Sequence, residues 1–183
     1  MKSVLKCYGL FALLTFSSLV LSAQVQDPVV AAFEERAKAY ADERESIERS
    51  LPVLSKQASP EEVADHKAAF LKAVQKARAG ARQGSVFTPE ISAHLKKIIA
   101  VQLDVADRAE LRKKVIEAEN KAVAVRVNYP YPEAQEILEM PATLLQVLPQ
   151  LPKQLKYRFV GRHMLLVDRE NALIVDYIPN AVP

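Results

Sequence analysis

Proline fixes its own φ and has no backbone N–H, so the places where a chain puts its prolines decide where helices can begin and where regular structure must stop. The eleven prolines here are not scattered. Pro28, Pro60 and Pro89 follow Asp27, Ser59 and Thr88, which is the order of a capping side chain and a proline at the first helical position. Ser59 also has Glu62 three residues on, completing a capping box. Five more, Pro130, Pro132, Pro141, Pro149 and Pro152, crowd residues 128–152 and exclude a long helix or a central strand there.

Between those stops the hydrophobic period assigns the elements. A first helix from Pro28 to Ser50 carries Val30, Phe33, Ala37, Tyr40, Ile47 and Leu51 at three-four spacing, with Arg44 as the one interruption. Leu51-Pro52 ends it, because proline disfavours helical geometry in the residue before it. A second helix runs from Pro60 to about Gln83, with Val63, Phe70, Val74, Ala77 and Ala81 as its stripe and Gly84 closing it. A third, Pro89 to Val101, buries Ile91, Leu95, Ile98 and Ile99, and a more exposed fourth spans Val105 to Asn120. The period then changes to two at Val123, Val125 and Val127, which predicts a short strand.

Residues 128–152 are too apolar for a free linker and read as a strap packed across the domain, with one short helix from Pro141 to Leu148. Three strands follow, Gln154 to Val160, Met164 to Asp168 and Ala172 to Ile178, separated by Gly161-Arg162 and Arg169-Glu170-Asn171. Alternation puts Tyr157 and Phe159 in the core and Arg158 on a wet face, and gives Leu173, Val175 and Tyr177 one shared face. The fold class expected is α+β, an N-terminal helical hairpin or bundle with a small C-terminal antiparallel β-meander. Residues 24–121 form the helical region and residues 122–183 the strap and meander, together one domain.

The first residues carry an address. Lys2 and Lys6 supply a positive start, Tyr8 to Leu21 is apolar, and Leu21-Ser22-Ala23 ends the run with small residues. That is the layout of a secretory signal peptide over residues 1–23, and the run is shorter than a membrane anchor needs. Cleavage after Ala23 would send the protein out of the cytoplasm, to the periplasm or the medium, and leave no stable membrane span. Cys7, the single cysteine, would be lost with the leader, removing disulfides, thiolate metal sites and cysteine nucleophiles together. The formal charge of +3 includes Lys2 and Lys6, so the trimmed chain is close to neutral and nucleic acid is not an expected partner.

Gly80, Gly84 and Gly161 are the only glycines after the leader, too few for a phosphate-cradling loop or a dinucleotide fingerprint, and no cofactor is expected. No Gly-x-Ser-x-Gly elbow or Ser-x-x-Lys pair occurs after the leader. Glu62 with His66 and Glu90 with His94 could each present an oxygen and a nitrogen on one helix face. Neither spacing is that of a known helical metal motif, and no metal site is expected. The densest set of functional side chains is Tyr157-Arg158-Phe159-Val160-Gly161-Arg162-His163. Arg158, Arg162 and His163, with Asp168 beyond them, form the candidate binding site, since guanidinium groups held on a strand grip acidic groups. Asp168 and Asp176, on neighbouring strands, are a conceivable carboxylate pair, with Asp168 also suited to forming the turn.

Leu148-Pro149-x-Leu151-Pro152, Tyr157 to Arg162, Leu166-x-Asp168 and Ile174-Val175-Asp176, with Val86 to Glu90 upstream, resemble the pattern of a family of uncharacterised exported bacterial proteins. That resemblance implies export and carries no activity. Val160 to Ile178 is also similar to the closing hairpin of exported nickel and cobalt homeostasis proteins, in hairpin features alone and without metal ligands. The reading that follows is a non-enzymatic, envelope-associated interaction module whose partner is another envelope protein. The alternative is a periplasmic hydrolase or small-ligand-binding protein with its site on the C-terminal meander.

Overall fold

The computed structural model describes residues 27–102, 109, 125–131 and 142–183. The expected leader, all but one residue of the expected fourth helix, Val123, and residues 132–141 of the expected strap lie outside them. Within them the chain is α+β: helices α1 (Pro28–Ser50), α2 (Pro60–Ala77), α3 (Pro89–Gln102) and the one-turn α4 (Ala142–Leu145), then strands β1 (Leu155–Val160), β2 (His163–Asp168) and β3 (Ile174–Ile178).

The helix starts are held by the residues that announce them. Asp27 accepts from the Val29 amide at 2.8 Å. Ser59 and Glu62 exchange both bonds of the capping box, at 3.2 and 2.7 Å. The end of α2 departs from expectation, stopping at Ala77 rather than near Gln83. A distant residue caps it there: Asn128 Nδ2 donates to the carbonyls of Gln75 and Arg78, at 2.9 and 3.2 Å. Unpaired carbonyls at a helix end need a donor, and this one comes from a residue in the left-handed region at φ 66°. Gly84, also left-handed at φ 88°, shapes the later turn instead of the helix end.

The sheet has the order β1-β2-β3 and is antiparallel throughout. Val160 pairs with His163, so Gly161-Arg162 is a two-residue turn with glycine at its first central position, at φ 52°. Beyond β3, the segment 125–131 adds a further partial edge through Asn128 N to the Ile174 carbonyl at 2.8 Å and Tyr131 N to the Ala172 carbonyl at 2.8 Å. Of the short strand expected at residues 123–127, residues 123 and 124 lie outside the described chain and residues 125–127 are not in a strand, while a separate edge pairing joins Pro130 to Leu173.

Leu155, Tyr157, Phe159, Met164, Leu166, Leu173, Val175 and Ile178 face the helices and join Phe33, Phe70, Phe87, Ile91, Leu95 and Ile99 in the main core. Leu144 and Leu148 join the same core, with Leu151 packed against it, which seats the described end of the apolar strap. The opposite face is not wet. Leu165, Val167 and Ile174 lie buried there beneath Tyr131, with Tyr177 packed alongside. A bulge causes the second departure in the sheet: the register shifts between Leu166 and Val167, so Val175 is an extra residue in β3. After it the alternation is inverted, Asp176 sits opposite Leu166, and Tyr177 lies on the outer face rather than beside Leu173 and Val175. Among the described residues no helix is long and apolar enough to cross a membrane.

Candidate functional site

The four residues singled out from the sequence do not converge. His163 opens β2 and Asp168 closes it, which separates them by about 17 Å at the rise of an extended strand. Arg162 is exposed at the hairpin tip, and its carbonyl accepts from the Ala181 amide at 2.7 Å, tying down the end of the chain. His163 packs edge-on against Tyr177, with ring centroids 5.9 Å apart.

Asp168 is a fully buried carboxylate and every bond it makes belongs to the fold. Oδ1 accepts from the amides of Glu170 and Asn171, at 3.0 and 3.3 Å, forming the β2–β3 turn. Oδ2 accepts from Tyr40 Oη at 2.8 Å and Arg44 Nε at 2.9 Å, which fastens α1 to the sheet. The interruption of the α1 stripe is thereby explained. Arg44 is buried, stacks over Phe70 at 4.8 Å, and spends its other nitrogens on Glu48 and Glu170. Burial opposes its charge, but Asp168 and then Glu170 and Glu48 outweigh that and hold the guanidinium pKa above its ordinary value. Burial, reinforced by Asp168, pushes Tyr40 far above the usual tyrosine range.

Asp176 does the same for the loop before α3. Its Oδ2 accepts from the Val86 and Phe87 amides at 2.7 and 2.8 Å, and its Oδ1 from Gly84 at 2.9 Å and Tyr177 at 2.8 Å. Asp168 and Asp176 are therefore two separate anchors, and the conceivable carboxylate pair is not an acid–base pair. Each carboxylate already accepts four hydrogen bonds, which is its full complement.

In the two Glu-His pairs, the acids and His94 are engaged elsewhere. Glu62 closes its capping box, Thr88 hydrogen-bonds Glu90 and lowers its pKa, and His94 Nδ1 lies 3.5 Å from Asp27. Among the described residues no group of three or more His, Cys, Asp or Glu side chains is placed to hold a metal ion.

Two cavities border the β2–β3 turn. One, about 410 Å³, lies between α1 and the turn and mixes Arg44, Arg49, Lys153 and Arg169 with Glu45, Glu48 and Glu170. The other, about 290 Å³, opens on the outer sheet face and is lined by Tyr131, Lys156, Arg158, Val167, Arg169, Glu170 and Ala172. Its composition is the more unusual. Three cationic side chains meet one carboxylate, and that carboxylate is already bridged to Arg44 from the inner side. Buried Tyr131 Oη and Arg158 Nε have no hydrogen-bond partner. Ala172 holds a left-handed backbone at φ 51°, uncommon for a residue with a Cβ. Arg158 is thus the one residue of the expected site that lines a cavity with unmet hydrogen-bonding capacity. Tyr131 was missed in the sequence because it stood in the proline-rich stretch and looked like packing.

The chain matches no protein-family model, no curated protein and no solved structure. The reading of its function rests on the geometry.

Proposed function

We propose that this chain is an exported, non-catalytic binding module of the cell envelope, and that it recognises its partner with the outer face of the C-terminal sheet around Arg158. One contrast supports this reading. On the helix side of the sheet the buried carboxylates have all their acceptor sites filled, whereas on the outer side Tyr131 Oη and Arg158 Nε are left without partners beside Lys156 and Arg169. Buried polar groups that stay unpaired cost stability, and a bound partner that completes their bonding accounts for retaining two of them side by side.

The test is retention of the purified protein on envelope material from its host, with Arg158→Gln compared with the unaltered chain. Arg158 is half-buried and at most weakly bonded within the fold, to the Tyr157 carbonyl at 3.4 Å. The variant should therefore melt at nearly the same temperature and lose retention. Equal retention of both proteins would place the recognition surface elsewhere.

A further inference from the structure

We infer that the outer-face cavity is a site for a small oxyanion, a carboxylate or phosphate group carried on a compact molecule or on the end of a larger one. This deepens the binding reading above and rests on it. The cavity of about 290 Å³ is near the lower limit of small-molecule sites, so it encloses a head group and little more.

Its donors are of the right kind and are differently arranged from surface lysines. Arg158 stands on β1 opposite Leu165, a fully buried residue, so its stem is rooted in the sheet. Its Nε lies buried with no acceptor. A guanidinium presents Nε and its neighbouring nitrogen as a planar fork matched to two oxygens on one centre, which is how arginine holds carboxylate and phosphate. Arg169, which also lines the cavity, donates its Nε to the Leu155 carbonyl at 2.8 Å and is thereby tethered rather than free to sweep. Lys156 lies on the same β1 face, two residues before Arg158.

Tyr131 supplies the neutral donor. It is 5% exposed, and its hydroxyl is without a partner. An ordinary tyrosine value of 10.0, which burial raises further, keeps the hydroxyl protonated at neutral pH, so it meets an anion as a donor. Glu170, the one acidic lining residue, is engaged by Arg44 Nη2, and its charge is partly balanced from the inner side. Val167 and Ala172 give the floor an apolar surface, which strengthens the charged contacts by keeping water out. A cation would meet three like charges here, and a neutral sugar or peptide would leave the arginine donors without a charged acceptor.

The experiment is a titration of the isotope-labelled protein at constant ionic strength with inorganic phosphate, with acetate, and with glycerol as the neutral control. It is followed through the Arg158 side-chain Nε–H signal and the backbone amides of Lys156 to Arg158 and Val167 to Ala172. Saturable shifts confined to those signals are expected with phosphate, acetate or both, and none with glycerol. The stronger of the two anions identifies the head group.

Arg158→Gln should weaken binding about tenfold or more, the worth of one charge-assisted bond, and Tyr131→Phe roughly fivefold. Both variants should keep the inner-face amides unmoved. Non-saturating shifts spread over the surface lysines, or affinities unaltered in both variants, would overturn the proposal. If anions fail to bind but envelope retention still depends on Arg158, the oxyanion class is wrong and the binding surface stands. If neither depends on Arg158, both readings fall.

Discussion

The two faces of the same three-stranded sheet bury different polar groups, and although Arg78 Nη1 is unpaired on the helix side, the carboxylates buried there are not. On the inner face two carboxylates are buried completely, and each is saturated by donors from elements far away in the chain: Tyr40 and Arg44 for Asp168, and the amides of Gly84, Val86 and Phe87 for Asp176. On the outer face the buried polar atoms of Tyr131 and Arg158 are donors with nothing to donate to. The inner groups assemble the protein, and the outer ones are held at some cost to it. Substitutions on the two faces should therefore differ in size and in sign.

The largest effects belong inside. Asp168→Ala strands a buried guanidinium and should cost roughly 3–5 kcal/mol in denaturant unfolding. Changing Arg44 to Met in the same protein should recover part of that loss, because the stranded charge is then gone. A double variant no more stable than Asp168→Ala alone would break the claim that the ion pair carries the coupling. Asp176→Ala leaves the buried Val86 and Phe87 amides without acceptors and should cost a similar amount, roughly 2–5 kcal/mol. Loss of near-ultraviolet dichroism from Phe87 and its stacked neighbours Phe33 and Tyr157 would register the freed loop.

Alkaline pH probes the inner face without mutation. Burial raises Tyr40, with help from Asp168, and raises Tyr157, with help from Glu34, above the ordinary value of 10.0. As pH climbs past 10 the unfolded chain releases these protons and the folded chain keeps them, so stability is full below that value and falls above it. Tyr157→Phe should make that fall shallower, read as the slope of unfolding free energy against pH. It should also cost about 1 kcal/mol at neutral pH through the lost bond to the Pro149 carbonyl.

The smallest expected effect has the opposite sign. Tyr131→Phe removes a buried hydroxyl that has no partner and should leave stability unchanged or raise it by up to about 1 kcal/mol. A loss above that would erase the contrast between the faces.

The parts of this architecture that were legible in the sequence are those whose physics is local. A cap and a proline fix a helix start from adjacent residues, so α1 and α3 begin where Asp27-Pro28 and Thr88-Pro89 place them. Alternation and Gly161-Arg162 gave the meander for the same reason. What escaped depends on partners remote in sequence. Asn128 caps α2 from 50 or more residues away, and Asp168 meets Arg44 across 124. A usable signal existed: Arg44 alone breaks an apolar stripe, and Asp168 and Asp176 alone break apolar strands, so three misplaced charges needed partners. Of the expected site residues, only Arg158 lines the cavity proposed as the site, because Arg162 and His163 belong to the hairpin tip and Asp168 to the opposite face. Tyr131 offered no such signal, since a buried tyrosine in a proline-rich stretch is ordinary packing until its hydroxyl is seen to lack a partner.

The extra residue in β3 sets a parity for everything that follows it. Removing Val175 would restore strict odd-even order along the strand and leave Asp176 facing inward and Tyr177 outward as they are now, whereas one further residue inserted after Val175 would rotate Asp176 away from the amides before α3 and carry Tyr177 into the space the helices occupy. A single-codon insertion there does more damage than loss of the bulge residue itself, because it exchanges the sheet's two surfaces at the point where one of them holds the fold together.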